Sequence, residues 1–146
     1  MESRHRLAAA SRNGHLAMRR VERQHALVER LAAARGQRRT VSGLAREFGV
    51  AERTLARDVE RLRDSGVPLR VVRGRGGGVS LDVAPVVAPI AFDLAEVAAL
   101  MSSLTVLGPW VSPSATSAMR KLAAAVGSDG GSEAELRRAR LGIERD

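Results

Sequence analysis

Of the 146 residues, 45% are hydrophobic, which is enough for one folded domain with a helical appendage and makes wholesale disorder unexpected. Cysteine is absent, which excludes disulfides, thiolate zinc sites and thiol nucleophiles, and no apolar run approaches the roughly 20 residues of a membrane-spanning helix. The formal net charge of +8 at pH 7 predicts a polyanionic partner, and we expect a cytoplasmic protein without a membrane segment.

The basic charge is concentrated in one part of the chain. Residues 19–82 carry fifteen arginines against eight acidic residues, a net charge of +7, whereas residues 83–146 have a net charge of −1. A general abundance of arginine would not explain this difference, and a local basic excess is typical of nucleic-acid binding. Proteins that bind single strands stack the bases on several aromatic rings, and this chain has two phenylalanines, one tryptophan and no tyrosine. The composition therefore favours duplex DNA over single-stranded RNA.

Three helices are predicted in the first half of the chain. Residues 1–18 have no clear apolar period and contain the turn signal Asn13-Gly14, so we assign them to a flexible N-terminal arm. The first helix is predicted from about Leu16 to Arg35 by a stripe at helical spacing. A short second helix is predicted from about Ser42, which can cap it, to Phe48, and a third from about Glu52 to Asp64.

A hairpin and two further helices follow in the predicted order. Two short β-prone runs flank the glycine loop Gly74–Gly78, which predicts a β-hairpin over residues 69–82. Residues 83–91 contain two prolines and are assigned to a linker. Asp93 and Glu96 form a predicted capping box for a helix that ends near Leu107, and a last helix is predicted from Ser112-Pro113 to Val126-Gly127.

The stretch from Leu44 to Leu55 has the spacing of a helix-turn-helix. Two tightly crossing helices need a small residue where their backbones approach, which Ala45 supplies, and a turn residue that tolerates positive φ, which Gly49 supplies. Apolar residues must face the shared core, and four stand at the required positions: Leu44, Phe48, Val50 and Leu55.

The third helix has an apolar face and a charged face, which is basic in the first two turns and carries Glu60 and Asp64 further along. Leu55, Val59 and Leu62 fall on one stripe, and Arg53 and Arg57 lie roughly opposite. Arginines in the first half of such a helix can contact guanine edges or phosphates in the major groove. The alternative is a charged face that only meets solvent.

The run from Thr40 to Asp82 resembles the winged helix-turn-helix of WYL-domain transcriptional regulators and, more loosely, the DNA-binding domain of the biotin repressor. The most specific part of the resemblance is the string Arg53-Thr54-Leu55-x-Arg57-Asp58-Val59. The motifs Gly66-x-Pro68 and Gly76-Gly77-Gly78 match as well. The resemblance implies that Arg53, Thr54 and Arg57 belong to the recognition helix and that Gly74–Gly78 is the wing tip. Ala51 stands where that family has a capping serine, a loss of about 1 kcal/mol of helix-end stability.

The resemblance does not extend to an effector domain. Residues 92–126 resemble the helical connector that precedes that domain in the family, and effector sensing is not carried over to this chain. The glycine loop is not expected to bind nucleotide phosphates, because it leads into a strand and no Gly-Lys-Ser/Thr follows it.

The sequence therefore predicts a mainly α protein with a small β-hairpin: a winged helix-turn-helix over residues 19–82 followed by a helical C-terminal segment. We expect sequence-specific binding to double-stranded DNA and regulation of transcription. The predicted DNA-binding residues are Ser42, Glu52, Arg53, Thr54, Ala56, Arg57, Arg73, Arg75 and Gly76. The alternative is a protein-interaction module that pairs with a full-length regulator.

No enzyme, metal site or cofactor is predicted. The histidines His5, His15 and His25 lie before the motif and are expected to face solvent. Residues 92–127 are predicted to form a homodimer, because two helices alone leave apolar surface uncovered; the alternative is that they fold back onto the winged domain of a monomer. Residues 128–146 are assigned to a charged tail.

Overall fold

The computed structural model describes residues 2–82, 87–108 and 111–127. Its elements are α1 (Glu2–Ala33), α2 (Val41–Phe48), α3 (Glu52–Asp64), β1 (Leu69–Val72), β2 (Gly78–Leu81), α4 (Leu94–Leu107) and α5 (Pro113–Gly127). The predicted fold class, a mainly α winged helix-turn-helix followed by a helical segment, is confirmed.

The described residues divide into two compact units. The first contains the described residues up to Ile90 together with 111–113, and the second contains 91–108 and 114–127. The predicted linker is described only over 87–91, which form no helix or strand, and the predicted tail at 128–146 lies outside the described residues. The domain boundaries drawn from the sequence remain predictions.

Helix α1 begins much earlier than the sequence pattern predicts. It starts at Glu2, not near Leu16, so residues 2–18 of the proposed flexible arm are helical and the predicted start was wrong. Apolar periodicity detects only the part of a helix that packs on a core, whereas alanine and arginine favour helix without any stripe. The helix ends at Ala33, after which Arg35 and Gly36 adopt positive φ values of 49° and 80°.

One core joins the helices and the hairpin of the first unit. The third helix contributes Leu55 and Val59 to it, as its apolar stripe predicts, and Leu62 is partly buried beside them. The fully buried leucines of α1 lie in the same cluster, so the long helix supports the shorter ones. The buried members are Leu27, Leu31, Leu44, Ala45, Leu55, Val59, Leu69 and Val79.

Helix α2 is capped by Thr40. The Thr40 hydroxyl accepts a hydrogen bond from the Gly43 backbone N–H at 3.1 Å, and α2 begins at Val41. The predicted cap, Ser42, was wrong: it is the second residue of the helix and donates from its hydroxyl to Thr40 Oγ1 at 3.4 Å. Both residues have hydroxyls suited to capping, and only Thr40 has the extended backbone of an N-cap.

The hairpin gains a third partner that the sequence pattern does not predict. Strands β1 and β2 pair antiparallel, with Leu69 opposite Leu81 and Val71 opposite Val79. On the other side of β2, Arg39 and Val79 exchange two backbone hydrogen bonds of 2.8 Å. Gly78 makes this approach possible, because a Cβ on it would lie 2.3 Å from the Arg39 carbonyl oxygen. The hairpin is thereby fixed to the loop before α2.

In the second unit, the predicted capping box of α4 is confirmed. Asp93 Oδ1 accepts from the Glu96 backbone N–H at 2.8 Å, and Glu96 Oε2 accepts from the Asp93 backbone N–H at 2.8 Å. Helix α5 begins at Pro113 and ends at Gly127, as predicted. None of the described helices is long and apolar enough to cross a lipid bilayer.

The capping assignment gives a stability prediction. Thr40→Ala removes the hydrogen bond to Gly43 and should lower the free energy of unfolding by about 1 kcal/mol, measured by urea denaturation. Ser42→Ala is the matched control and should change it by less than about 0.5 kcal/mol, because this side chain is exposed and satisfies no backbone group. A larger loss for Ser42→Ala than for Thr40→Ala would contradict the assignment.

Candidate nucleic-acid interface

A tight turn sets the crossing of α2 and α3. Gly49 adopts the left-handed conformation, with φ 64° and ψ 35°, and its N–H bonds to the last turn of α2. The Val50 N–H then donates to the Ala45 carbonyl at 3.0 Å. Leu44 and Ala45 are buried at the crossing, so the small residue and the glycine lie where the motif needs them.

The outer face of α3 is polar and open. Glu52, Arg53 and Arg57 are exposed in its first two turns, and Thr54 and Ala56 between them are partly buried. Among the described residues, neither arginine side chain has an ion pair or a hydrogen-bond partner. Ala51 precedes the helix without a side-chain cap, as the sequence predicts.

Other arginines of this unit are already paired. Glu47 contacts Arg30 at 2.6 Å and Arg39 at 3.6 Å, and Arg70 contacts Asp82 at 3.3 Å. These pairs neutralise part of the basic charge away from α3. The described residues provide no such partner for the guanidinium groups of Arg53 and Arg57.

The remaining predicted residues lie on the wing and on α2. Arg73, Arg75 and Gly76 are exposed in the loop between β1 and β2, and Ser42 is exposed in the first turn of α2. The wing turn is closed by a hydrogen bond from the Gly77 N–H to the Gly74 carbonyl at 2.9 Å. The predicted site residues thus come from three elements around one core, and their contacts with DNA stay a prediction.

Arg38 supports the wing and was not found from the sequence. Its Nη1 donates to the carbonyl of Gly76, at the wing tip, at 3.0 Å. Arg38 lies just before Arg39, which pairs with β2, so the same loop holds both the base and the tip of the wing. No local pattern reveals a contact between residues so far apart in sequence.

A buried carboxylate on α3 was also missed. Asp58 is fully buried and accepts hydrogen bonds from Arg23 Nε at 2.5 Å and Gln24 Nε2 at 3.1 Å, both on α1. Arg61 Nη1 lies 3.5 Å from the same carboxylate. Gln24 lies on the predicted stripe of α1 beside Val21, Val28 and Leu31, and it was the available sequence signal, because a polar group on a core face needs a partner.

The described residues contain no cluster of three or more histidine, cysteine or acidic side chains that could hold a metal ion.

His15 is exposed, as expected, whereas His25 is partly buried and its Nδ1 lies 3.2 Å from the Ser112 hydroxyl oxygen. The prediction of a solvent-facing His25 was therefore wrong, because its partner lies far along the chain. The side chain of His5 lies outside what the structure describes.

A model of a known protein family matches the part of the chain that contains α2, α3 and most of the hairpin. Residues 23–79, from the later part of α1 to β2, match the family model HTH_11, described as an HTH domain. The crossing of α2 and α3 and the turn at Gly49 lie inside the matched segment.

Among solved structures, the chain is similar to the M. tuberculosis transcriptional regulator MosR. The two share 22% sequence identity, with a TM-score of 0.38, over 96% of this chain and 91% of that chain. A TM-score of this size does not establish a common overall fold. The finer resemblance to WYL-domain regulators and to the biotin repressor remains a prediction.

Proposed function

We propose that this protein binds double-stranded DNA in a sequence-specific manner and regulates transcription in the cytoplasm. The observation that carries the proposal is the pair of exposed arginines in the first two turns of α3, which have no partner among the described residues and lie in the segment that matches an HTH domain. The net charge of +7 over residues 19–82 supports it, because long-range attraction to phosphate would bring this face of the protein to DNA.

In this proposal the first half of α3 enters the major groove. The groove is about 12 Å wide and admits one helix. Arg53 and Arg57 are four residues apart on one helix face, so their Cβ atoms lie about 5–6 Å apart and can reach neighbouring bases or a base and a phosphate. Ala56 has too little bulk to hold the helix off the groove, and Glu52 and Thr54 at the helix start supply polar groups for base edges.

The wing and α2 would contact the DNA backbone. Arg73 and Arg75 lie on an exposed loop whose position is fixed from both sides of β2, and they would meet phosphates or the minor groove. Gly76 at the tip allows close approach of a strand, since it has no side chain. Ser42, exposed in the first turn of α2, would donate from its hydroxyl to a phosphate.

We further propose that the C-terminal helices form a homodimer. Apolar residues lie on all sides of α4, a composition typical of helices surrounded by other elements. Yet several of its large side chains are exposed, and Val106 has 76% of its surface accessible. A second copy of the chain would cover such surface and present two recognition helices to half-sites about 34 Å apart.

Removal of both recognition arginines tests the DNA contact. Arg53→Ala/Arg57→Ala should weaken binding to a selected duplex by about 2–6 kcal/mol, at least about thirtyfold, measured by fluorescence anisotropy. Arg120→Ala/Lys121→Ala removes the same charge from exposed positions of α5 and should stay within about threefold of the parent protein. Equal loss in both variants would mean that only total charge matters.

A substitution at Val106 tests the dimer. We expect twice the chain mass of 15.6 kDa in sedimentation equilibrium, and the chain mass alone for Val106→Glu, because the interface would bury an unpaired charge. Arg120→Glu, a change at an already charged exposed position, should remain a dimer. A parent protein that sediments as a monomer would contradict the proposal, and a stable complex with a different regulator would favour the interaction-module alternative.

A further inference from the structure

Asp58 is a charged residue that is buried in α3, the proposed recognition helix. It belongs neither to the apolar stripe of the helix nor to its exposed face. Its carboxylate has no solvent exposure, and the side chain of its partner Arg23 is 19% exposed. Both oxygens are used, since Oδ2 contacts Arg23 and Oδ1 contacts Gln24. Two consecutive residues of α1 therefore hold one residue of α3 from the side opposite to solvent.

We propose that Asp58 is a positioning residue for DNA recognition: its ion pair with Arg23 and hydrogen bond with Gln24 fix the rotation of α3 about its own axis. The direction of Arg53 and Arg57 toward DNA depends on that rotation. This inference rests on the proposed function. It assigns the sequence specificity of Arg53 and Arg57 to the contact of Asp58 with α1.

A buried ion pair fixes the orientation of the elements it joins more than it stabilises the fold. Removing two charges from water costs about as much as their attraction returns, so replacement of a whole pair by apolar residues is often neutral or stabilising. Apolar contacts such as those of Leu55 and Val59 are non-directional and tolerate small rotations of a helix. Charge-assisted hydrogen bonds to two fixed donors do not, because they weaken steeply away from their preferred distance and angle.

A small rotation of α3 is enough to matter at its outer face. A side-chain tip about 6 Å from a helix axis moves by about 2 Å when the helix rotates by about 20°. Hydrogen bonds to base edges have a distance range of about half an ångström, so a bidentate arginine contact would be lost. Contacts to phosphates are less demanding, because long basic side chains follow the backbone and need no fixed register.

The proposal therefore predicts a loss of sequence discrimination with little loss of general DNA affinity. Asp58→Asn is nearly the same size, but it removes the negative charge and puts an NH₂ group in place of one of the two oxygens that accept from Arg23 and Gln24. Arg23→Met/Asp58→Leu removes the pair without leaving a buried charge and keeps the side-chain volumes similar. Arg19→Met is the matched control on α1, since Arg19 is exposed and does not contact Asp58.

The experiment uses the full chain and duplexes enriched by the parent protein from a random-sequence pool, with a shuffled duplex of the same composition. Anisotropy gives the ratio of the two Kd values, and urea denaturation gives the stability of each variant. We expect the ratio to fall at least about tenfold in Asp58→Asn and in the double variant, while the Kd for the shuffled duplex stays within about threefold. The double variant should keep the stability of the parent, which separates positioning from a purely structural role.

The outcomes distinguish a failure of the positioning role of Asp58 from a failure of the proposed function. A double variant that is folded and keeps the parent's ratio would overturn the positioning role while leaving the proposed function intact. If Asp58→Asn fails to fold, the double variant alone decides, because it contains no buried unpaired charge and Arg61, which also contacts Asp58, is half exposed. A parent protein that enriches no duplex over the shuffled one would overturn the proposed function, and the role of Asp58 with it.

Discussion

The burial of one face of α3 determines what its other face can do. Leu55 and Val59 pack in the core that α1, α2 and the hairpin share, so the opposite side of the helix must meet solvent or a partner. The exposed charges there include Arg53 and Arg57 in the first two turns and Glu60 and Asp64 further along, whereas Asp58, on the inner side, is paired with Arg23 within the fold. The same packing that stabilises the domain thus leaves Arg53 and Arg57 exposed and holds Asp58 inside.

Features set by neighbouring residues could be predicted from the sequence. The bounds of α3, the capping box at Asp93 and the glycine at the α2–α3 turn agree with the structure, because each depends on residues within one or two turns. The helix-turn-helix could be predicted for the same reason, since its apolar and small residues have fixed spacing. Two of the predicted site arginines, Arg53 and Arg57, are exposed because they alternate with those buried positions.

Features set by distant residues could not be predicted in this way. The pairing of Arg39 with Val79, the contact of Arg38 with the wing and the bonds of Arg23 to Asp58 all join residues more than thirty positions apart. The cap at Thr40 was missed for a different reason, because two hydroxyl residues stand close together and backbone conformation selects between them. The early start of α1 was missed because residues 2–15 are helical without a periodic apolar stripe.

Binding of labelled duplex from the region upstream of the protein's own gene tests the account most directly. Fluorescence anisotropy at two salt concentrations, beside a scrambled duplex and a single strand, compares sequence, duplex structure and charge in one experiment. The account predicts tightest binding to the upstream duplex, with the logarithm of the association constant falling with the logarithm of salt at a slope of about −0.9 for each phosphate contact. Equal and weak binding to all three nucleic acids would contradict it.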